Sequence, residues 1–189
     1  MRNSTRSIEP FLQKDAQINM HTKSIVTQRL RLDAIRECDF KSLISILKHE
    51  VVSCTYMVPE MKSEDEEKKL FDALFNLSLR QDRYVYGIFL DNQLIGIIND
   101  TEINGEMIEV GYALHPDFFS KGYMTEALDA LINHLFTSGF DTVVCGAFEH
   151  NSASFRVMQK CGMSMIDKVD EIEYSEKIHR CIYYSKSRI

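Results

Sequence analysis

With 189 residues, the chain is long enough for one domain with a full hydrophobic core and short for two. A formal charge of −6, from 28 acidic and 22 basic residues, argues against a binder of phosphate backbones, which needs a basic face, so no nucleic-acid partner is expected. No apolar run approaches the length that spans a bilayer, so no membrane partner is expected either.

Residues 1–24 lack the apolar centre of a secretory signal and read as a flexible extension, which leaves 25–189 as the folded domain. The segment from Ser24, SIVTQRLRLDAI, alternates as a half-buried strand. Phe40, Leu43, Ile44 and Leu47 then recur at helical spacing. Ser63 followed by Glu66 has the form of a capping box ahead of a second amphipathic helix. From Tyr84 the pattern turns extended: YVYGIFL, a turn at Asp91-Asn92, LIGIIND, a turn signal at Asn104-Gly105, and MIEVGYAL predict three antiparallel strands in succession. A helix from about Tyr123 ends at Gly139, DTVVCGAF is a strand, and NSASFRVMQKCG is a short helix closed by Gly162. Two strands follow, around MSMIDKV and HRCIYYSK. The predicted order, β-α-α-β-β-β-α-β-α-β-β, is a mixed α/β sheet covered by helices.

Five cysteines (38, 54, 145, 161 and 181) without a Cys-x-x-Cys argue against a disulfide framework or a metal site and for the reducing cytoplasm. The loop ahead of the Tyr123 helix draws most interest. Ser120 to Thr125 offer unpaired backbone N–H groups at the positive end of a helix, a ready anion site. Gly122 lets the backbone come close to a bulky anion or take positive φ, Thr125 adds a hydroxyl and Lys121 a charge. The lysine-threonine signature of a nucleotide-hydrolysing loop and the glycines of a dinucleotide fingerprint are both missing. A plain strand-to-helix connection explains the loop equally well when it is taken by itself.

Three motifs in order decide between these readings: TQRLRL at 27–32, EVGYALHPDFFSKGYMTEAL at 109–128 and NSASFRVMQKCGM at 151–163. With them the chain resembles the GNAT superfamily of N-acetyltransferases, and most closely its RimJ/RimL-like branch, over about residues 25–187. Phe119 and Met124 stand where the wider superfamily pattern has Arg or Gln and Gly or Ala. The resemblance implies a GNAT fold, with a central, mostly antiparallel sheet flanked by helices. It implies acetyl-CoA as cosubstrate with no metal, its pyrophosphate on the backbone of Lys121, Gly122, Tyr123, Met124 and Thr125. Its pantetheine arm would lie along Ala113 and Leu114, in a slot opened where DTVVCGAF splays away. Asn151 would anchor that arm and Ser154 would bind it and protonate the departing thiolate, with helix capping as the plain alternative for both, and Phe155 and Tyr112 would form walls, with core packing as theirs.

Acetyl transfer then proceeds by direct attack of a primary amine in a ternary complex. A protein α-amino group needs only about 1–1.4 kcal/mol to be neutral at pH 7, a lysine-like amine roughly 4.6 kcal/mol, so a base matters most for the second. Glu109, on the strand lining the slot, is the base candidate, with a structural cross-sheet carboxylate as the plain alternative. His115 is an accessory candidate, and Arg29 reads as a structural ion pair. The acceptor pocket is expected between the two N-terminal helices and the C-terminal hairpin. A protein N-terminus, a polyamine and an antibiotic amine all remain open as acceptors, and the branch often forms homodimers. The alternative function is a catalytically silent acyl-CoA binding or sensing module of the same fold.

Overall fold

The computed structural model describes residues 24–188, so all but the last residue of the expected N-terminal extension lies outside the described residues. One sheet of 8 strands runs in the order β1-β2-β3-β4-β5-β6-β8-β7. Its strands are β1 Ile25–Val26, β2 Arg31–Asp33, β3 Tyr86–Leu90, β4 Gln93–Asn104, β5 Met107–Leu114, β6 Thr142–Phe148, β7 Ser164–Tyr174 and β8 Lys177–Ser187. Every neighbouring pair is antiparallel except β5 with β6, which are parallel and joined through a helix. The helices are α1 Phe40–Lys48, α2 Glu50–Ser53, α3 Glu64–Ser78, α4 Tyr123–Thr137 and α5 Ser152–Lys160.

The sheet is covered on both faces because its central strands are apolar on both. Leu128, Leu131, Ile132 and Leu135 of α4 and Met158 of α5 pack with Ile88, Ile98 and Ile108 in one core. Leu43, Ile44 and Leu47 of α1 and Phe71 and Leu74 of α3 pack with Phe89, Ile97 and Ala113 in the other. A smaller cluster of Val144, Phe148, Ile172, Cys181 and Tyr183 fills the root of the β7–β8 hairpin.

Three local expectations need correction. The single strand expected from Ser24 is two, because Thr27 turns the chain: its N–H donates to the Leu30 carbonyl at 2.9 Å and its hydroxyl accepts from the Leu30 N–H at 2.9 Å. β1 then folds back on β2, pairing Ile25 with Leu32. The capping box is only half formed. Ser63 Oγ accepts from the Glu66 N–H at 3.3 Å, but the Glu66 carboxylate accepts from the N–H of Lys62, at 2.6 Å, rather than from that of Ser63. The short helix α2 was not anticipated. His49 starts it, its Nδ1 accepting from the Val51 N–H at 3.3 Å.

Candidate active site

The parallel pairing of β5 with β6 covers only Met107, Ile108 and Glu109, opposite Thr142, Val143 and Val144. Beyond Glu109 the strands part: β4 follows β5 to Leu114, and β8 follows β6 to Phe148. Among the described residues, the edge of β5 from Val110 to Leu114 has no strand partner on that side, so its N–H and C=O groups can serve a ligand that mimics a strand. A bulge in β4 at Thr101 sits beside the parting point, since Asp100 faces Val110 while Glu102 faces Glu109. Such a bulge adds local twist and re-aims side chains.

The gap opens into a cleft of about 1110 Å³. Of the residues singled out in the sequence, Glu109, Ala113, Leu114, Gly122, Tyr123, Met124, Thr125, Asn151 and Ser154 all line it. Lys121 and Phe155 do not. The Lys121 ammonium donates to the Asp117 carbonyl at 2.8 Å, and the Phe155 ring stacks on Tyr184 at 5.5 Å.

One end of the cleft is formed by the loop after β5 and the start of α4. Ser120 and Gly122 both adopt left-handed φ, 60° and 79°, which turns successive amides toward the start of α4. The loop is braced from behind by the TQRL turn. Glu126 accepts from the Thr27 hydroxyl at 2.6 Å, from the Arg29 N–H at 2.8 Å and from Arg29 Nε at 2.7 Å. Arg29 Nη1 donates to the Lys121 carbonyl at 3.0 Å, and the guanidinium lies 4.6 Å from the centre of the Tyr123 ring. Burial raises the Glu126 carboxyl, but the bonds from Thr27 and Arg29 outweigh it and hold the group below its ordinary value. Arg29 is thus the structural ion-pair partner its motif suggested, while the role of Glu126 had no signal of its own. Met124 is 7% exposed, its side chain packed in the α4 core.

The middle of the cleft is closed by Tyr112, whose hydroxyl donates to the Ser154 carbonyl at 3.2 Å and so ties β5 to α5. Burial pushes that phenol well above its usual value. Asn151 caps α5, its side-chain oxygen accepting from the Ser154 N–H at 3.1 Å. Capping and lining the cleft therefore coexist at this residue. Glu109, 6% exposed, accepts from Thr101 Oγ1 at 3.2 Å and faces the Lys168 ammonium at 3.5 Å.

The other end is made of side chains and a loop. The segment between α2 and α3 contributes Thr55, Tyr56, Met57, Val58 and Pro59, and the C-terminal hairpin contributes Ile172, Cys181 and Tyr183. These are the segments between which the sequence led us to expect the acceptor pocket, with the connecting loop supplying more of the lining than the helices. The Tyr174 hydroxyl donates to the Ser53 carbonyl at 2.6 Å and lies 3.2 Å from that of Val58, fastening hairpin to loop. Tyr56 reaches across to Asn99 Oδ1. Tyr183 lies flat over β6 because residue 146 is glycine: a Cβ there would come within 2.7 Å of its ring. His115 is directed to its own turn, its Nδ1 accepting from the Asp117 N–H at 3.3 Å.

A family model described as an acetyltransferase (GNAT) domain matches residues 29–164. The chain belongs to the GNAT acetyltransferase family. YnaD, an uncharacterized N-acetyltransferase of Bacillus subtilis (strain 168), is 28% identical over 144 residues, covering 74% of this chain and 81% of the relative. A ribosomal-protein-serine acetyltransferase of Escherichia coli (strain K12) is 29% identical over 121 residues, 60% of this chain and 66% of the relative. Among solved structures, RimL, a ribosomal L7/L12 alpha-N-protein acetyltransferase in complex with coenzyme A, superposes with a TM-score of 0.77 at 24% identity, over 87% of this chain and 98% of RimL. The GNAT fold expected from the motifs is borne out, these relatives support the RimJ/RimL-like branch, and the chain is an N-acetyltransferase of that family.

The residues present fit acetyl-CoA. The free edge of β5 suits an amide-bearing arm, and the amides after Phe119 suit a pyrophosphate. An acyl-cysteine route has no support in this acetyltransferase: burial pushes the Cys161 thiol up to about 12 and that of Cys145 well above its ordinary value, so neither supplies a thiolate. Among the described residues, no group of three or more His, Cys, Asp or Glu side chains is placed to hold a metal.

Proposed function

We propose that the enzyme transfers the acetyl group by direct attack of an α-amine, with Glu109 as base and Ser154 as acid. The observation that carries this reading is the parting of β5 and β6 immediately after Glu109, which puts the carboxylate at the root of the gap and Ser154 on its rim. Acetyl-CoA supplies an activated acyl carbon, whose bond to sulfur breaks as its bond to the amine nitrogen forms. Glu109 takes the proton from the attacking amine, directly or through one water. The Ser154 hydroxyl gives a proton to the departing thiolate. Backbone groups from Ala113 to Leu114 and from Lys121 to Thr125 hold the cosubstrate, and Asn151 keeps the start of α5 in position beside it. Lys121 contributes its backbone, since its ammonium is committed to Asp117.

A protein N-terminus is the favoured acceptor, supported by relatives described as ribosomal-protein-serine and alpha-N-protein acetyltransferases. Five free thiols, two of them exposed, fit the cytoplasm as the place of action. Calorimetric titration of the purified protein with acetyl-CoA, with ATP as control, tests the cosubstrate half of the reading. We expect saturable binding of acetyl-CoA alone, weakened at least tenfold by Gly122→Glu, because residue 122 has a φ of 79° and the new carboxylate would enter an anion site. ATP binding in preference to acetyl-CoA, or unchanged affinity in the variant, would overturn it.

A further inference from the structure

The acceptor end of the cleft carries opposite charges at two neighbouring places. Glu102 and Glu109 both line it and face one another across β4 and β5 as direct partners. Arg83 lines it too, just ahead of β3. Its Nε donates to Asp100 Oδ2 at 2.6 Å, and Asp100, 1% exposed, also accepts from the Tyr84 N–H at 2.9 Å. Asp100 thus fixes the guanidinium by one of its five N–H donors. Among the described residues the Nη groups of Arg83 make no hydrogen bond, although its side chain is only 19% exposed. Arg36 and Arg29 use more of theirs, Arg36 binding Asp39 through Nε and Nη2 and the Asn92 carbonyl as well and Arg29 binding Glu126 and Lys121, whereas Arg156 and Arg180, like Arg83, make a single side-chain bond but are not held by a buried carboxylate. An arginine anchored on one side by a buried carboxylate, with its planar fork left over in a cleft, is built to receive a second carboxylate.

We propose that Arg83 reads an acidic group of the acceptor, and that the substrate is a peptide or protein N-terminus with an aspartate or glutamate within its first few residues. This rests on the reading of the cleft as an amine-acetylating site. Arg83 lies next to β4, whose Glu102 partners Glu109, so amine and carboxylate subsites are separated by one to two strand spacings, ~5–10 Å. That span matches an α-amine and the side-chain carboxylate of the second or third residue. A polyamine would put a second cation against the guanidinium, an unfavourable pairing.

The test compares two tetrapeptide amides, Ser-Asp-Ala-Ala and Ser-Asn-Ala-Ala, with spermidine as a third acceptor. The wild-type enzyme is expected to favour the aspartyl peptide about tenfold in kcat/KM, in keeping with one charge-assisted pair. Removing Arg83 alone would strand the buried Asp100 charge, so the diagnostic protein is the double variant Arg83→Gln, Asp100→Asn, for which the ratio of the two peptides should fall to about one. Arg83→Lys keeps the charge and loses the fork, and should reduce the ratio severalfold in a protein that retains its ion pair. Equal use of both peptides by the wild-type enzyme, an undiminished ratio in both variants, or a preference for spermidine would overturn the proposal and leave the acetyltransferase reading standing. Binding of acetyl-CoA with turnover of no acceptor would remove both.

Discussion

Around Gly122 the cleft is lined by one contiguous stretch, the loop after β5 and the start of α4, whereas around Glu109 it is lined by residues drawn from β4, β5, the α2–α3 loop and the hairpin. The first end is rigid by construction. Two left-handed residues and a helix start aim its amides, and Thr27, Arg29 and Glu126 tie it to the opposite end of the sheet through bonds of 2.6–3.0 Å. Amides in such a loop recognise an anion whatever side chains surround them, which suits a ligand that never changes. The second end takes its shape from contacts between segments far apart in sequence, such as Tyr174 on Ser53 and Lys168 beside Glu109. A fold divided in this way can keep its cosubstrate and change its acceptor.

Variants at the second end sharpen that division. Glu109→Gln should lower kcat about 100-fold with a lysine-like amine and much less with an α-amine, since the α-amine needs less help to lose its proton. Steady-state kinetics on both acceptor types would read this, and an equal loss on both would assign Glu109 to the structure rather than to proton transfer. Tyr174→Phe removes the bond that fastens the hairpin to the loop. We expect the KM for the acceptor to rise about 2–10-fold, as one hydrogen bond warrants, while the KM for acetyl-CoA stays within twofold. A parallel rise in both constants would break the division.

The smallest effect concerns the brace at the first end. Glu126 is held below its ordinary carboxyl value, so it stabilises the fold above the unfolded pKa, near 4.3, and that stabilisation is lost as the pH falls through the lower, folded value. Glu126→Gln should therefore lower Tm by about 2–6 °C at pH 7, for a loss of ~1–2 kcal/mol. The gap between variant and wild type should narrow as the pH falls below the unfolded value and through the lower, folded one. Thermal melts at pH 7, 5 and 3 decide it, and a gap that is constant across them would mean that the carboxylate charge contributes nothing.

Legibility in the sequence followed the same division. The helices from Phe40, Glu64 and Tyr123 announced themselves by apolar spacing, and the strands from Tyr86 to Leu114 by alternation and by the turns at Asp91-Asn92 and Asn104-Gly105. The hairpin turn at Ser175 and Glu176 had no such sign, because both residues adopt left-handed φ without being Gly or Asn. Glu109, Gly122, Asn151 and Ser154 could be named because each sits in a contiguous motif whose backbone conformation is local. Arg83, Lys168, Tyr174 and Gly146 could not, because each acquires meaning only from a partner on another strand or loop.

Apart from the turn at Thr27 and the short helix α2, the order of elements and the loop that opens α4 at Gly122 were determined by the sequence alone, since periodicity, turn chemistry and a helix start depend on residues a few positions apart. Tertiary structure decided where β5 leaves β6, which carboxylates are neutralised by which cations, and which arginine keeps its fork for a ligand. Those are pairings across the sheet, and a register between distant strands is set by the packing of whole faces rather than by any short stretch of chain.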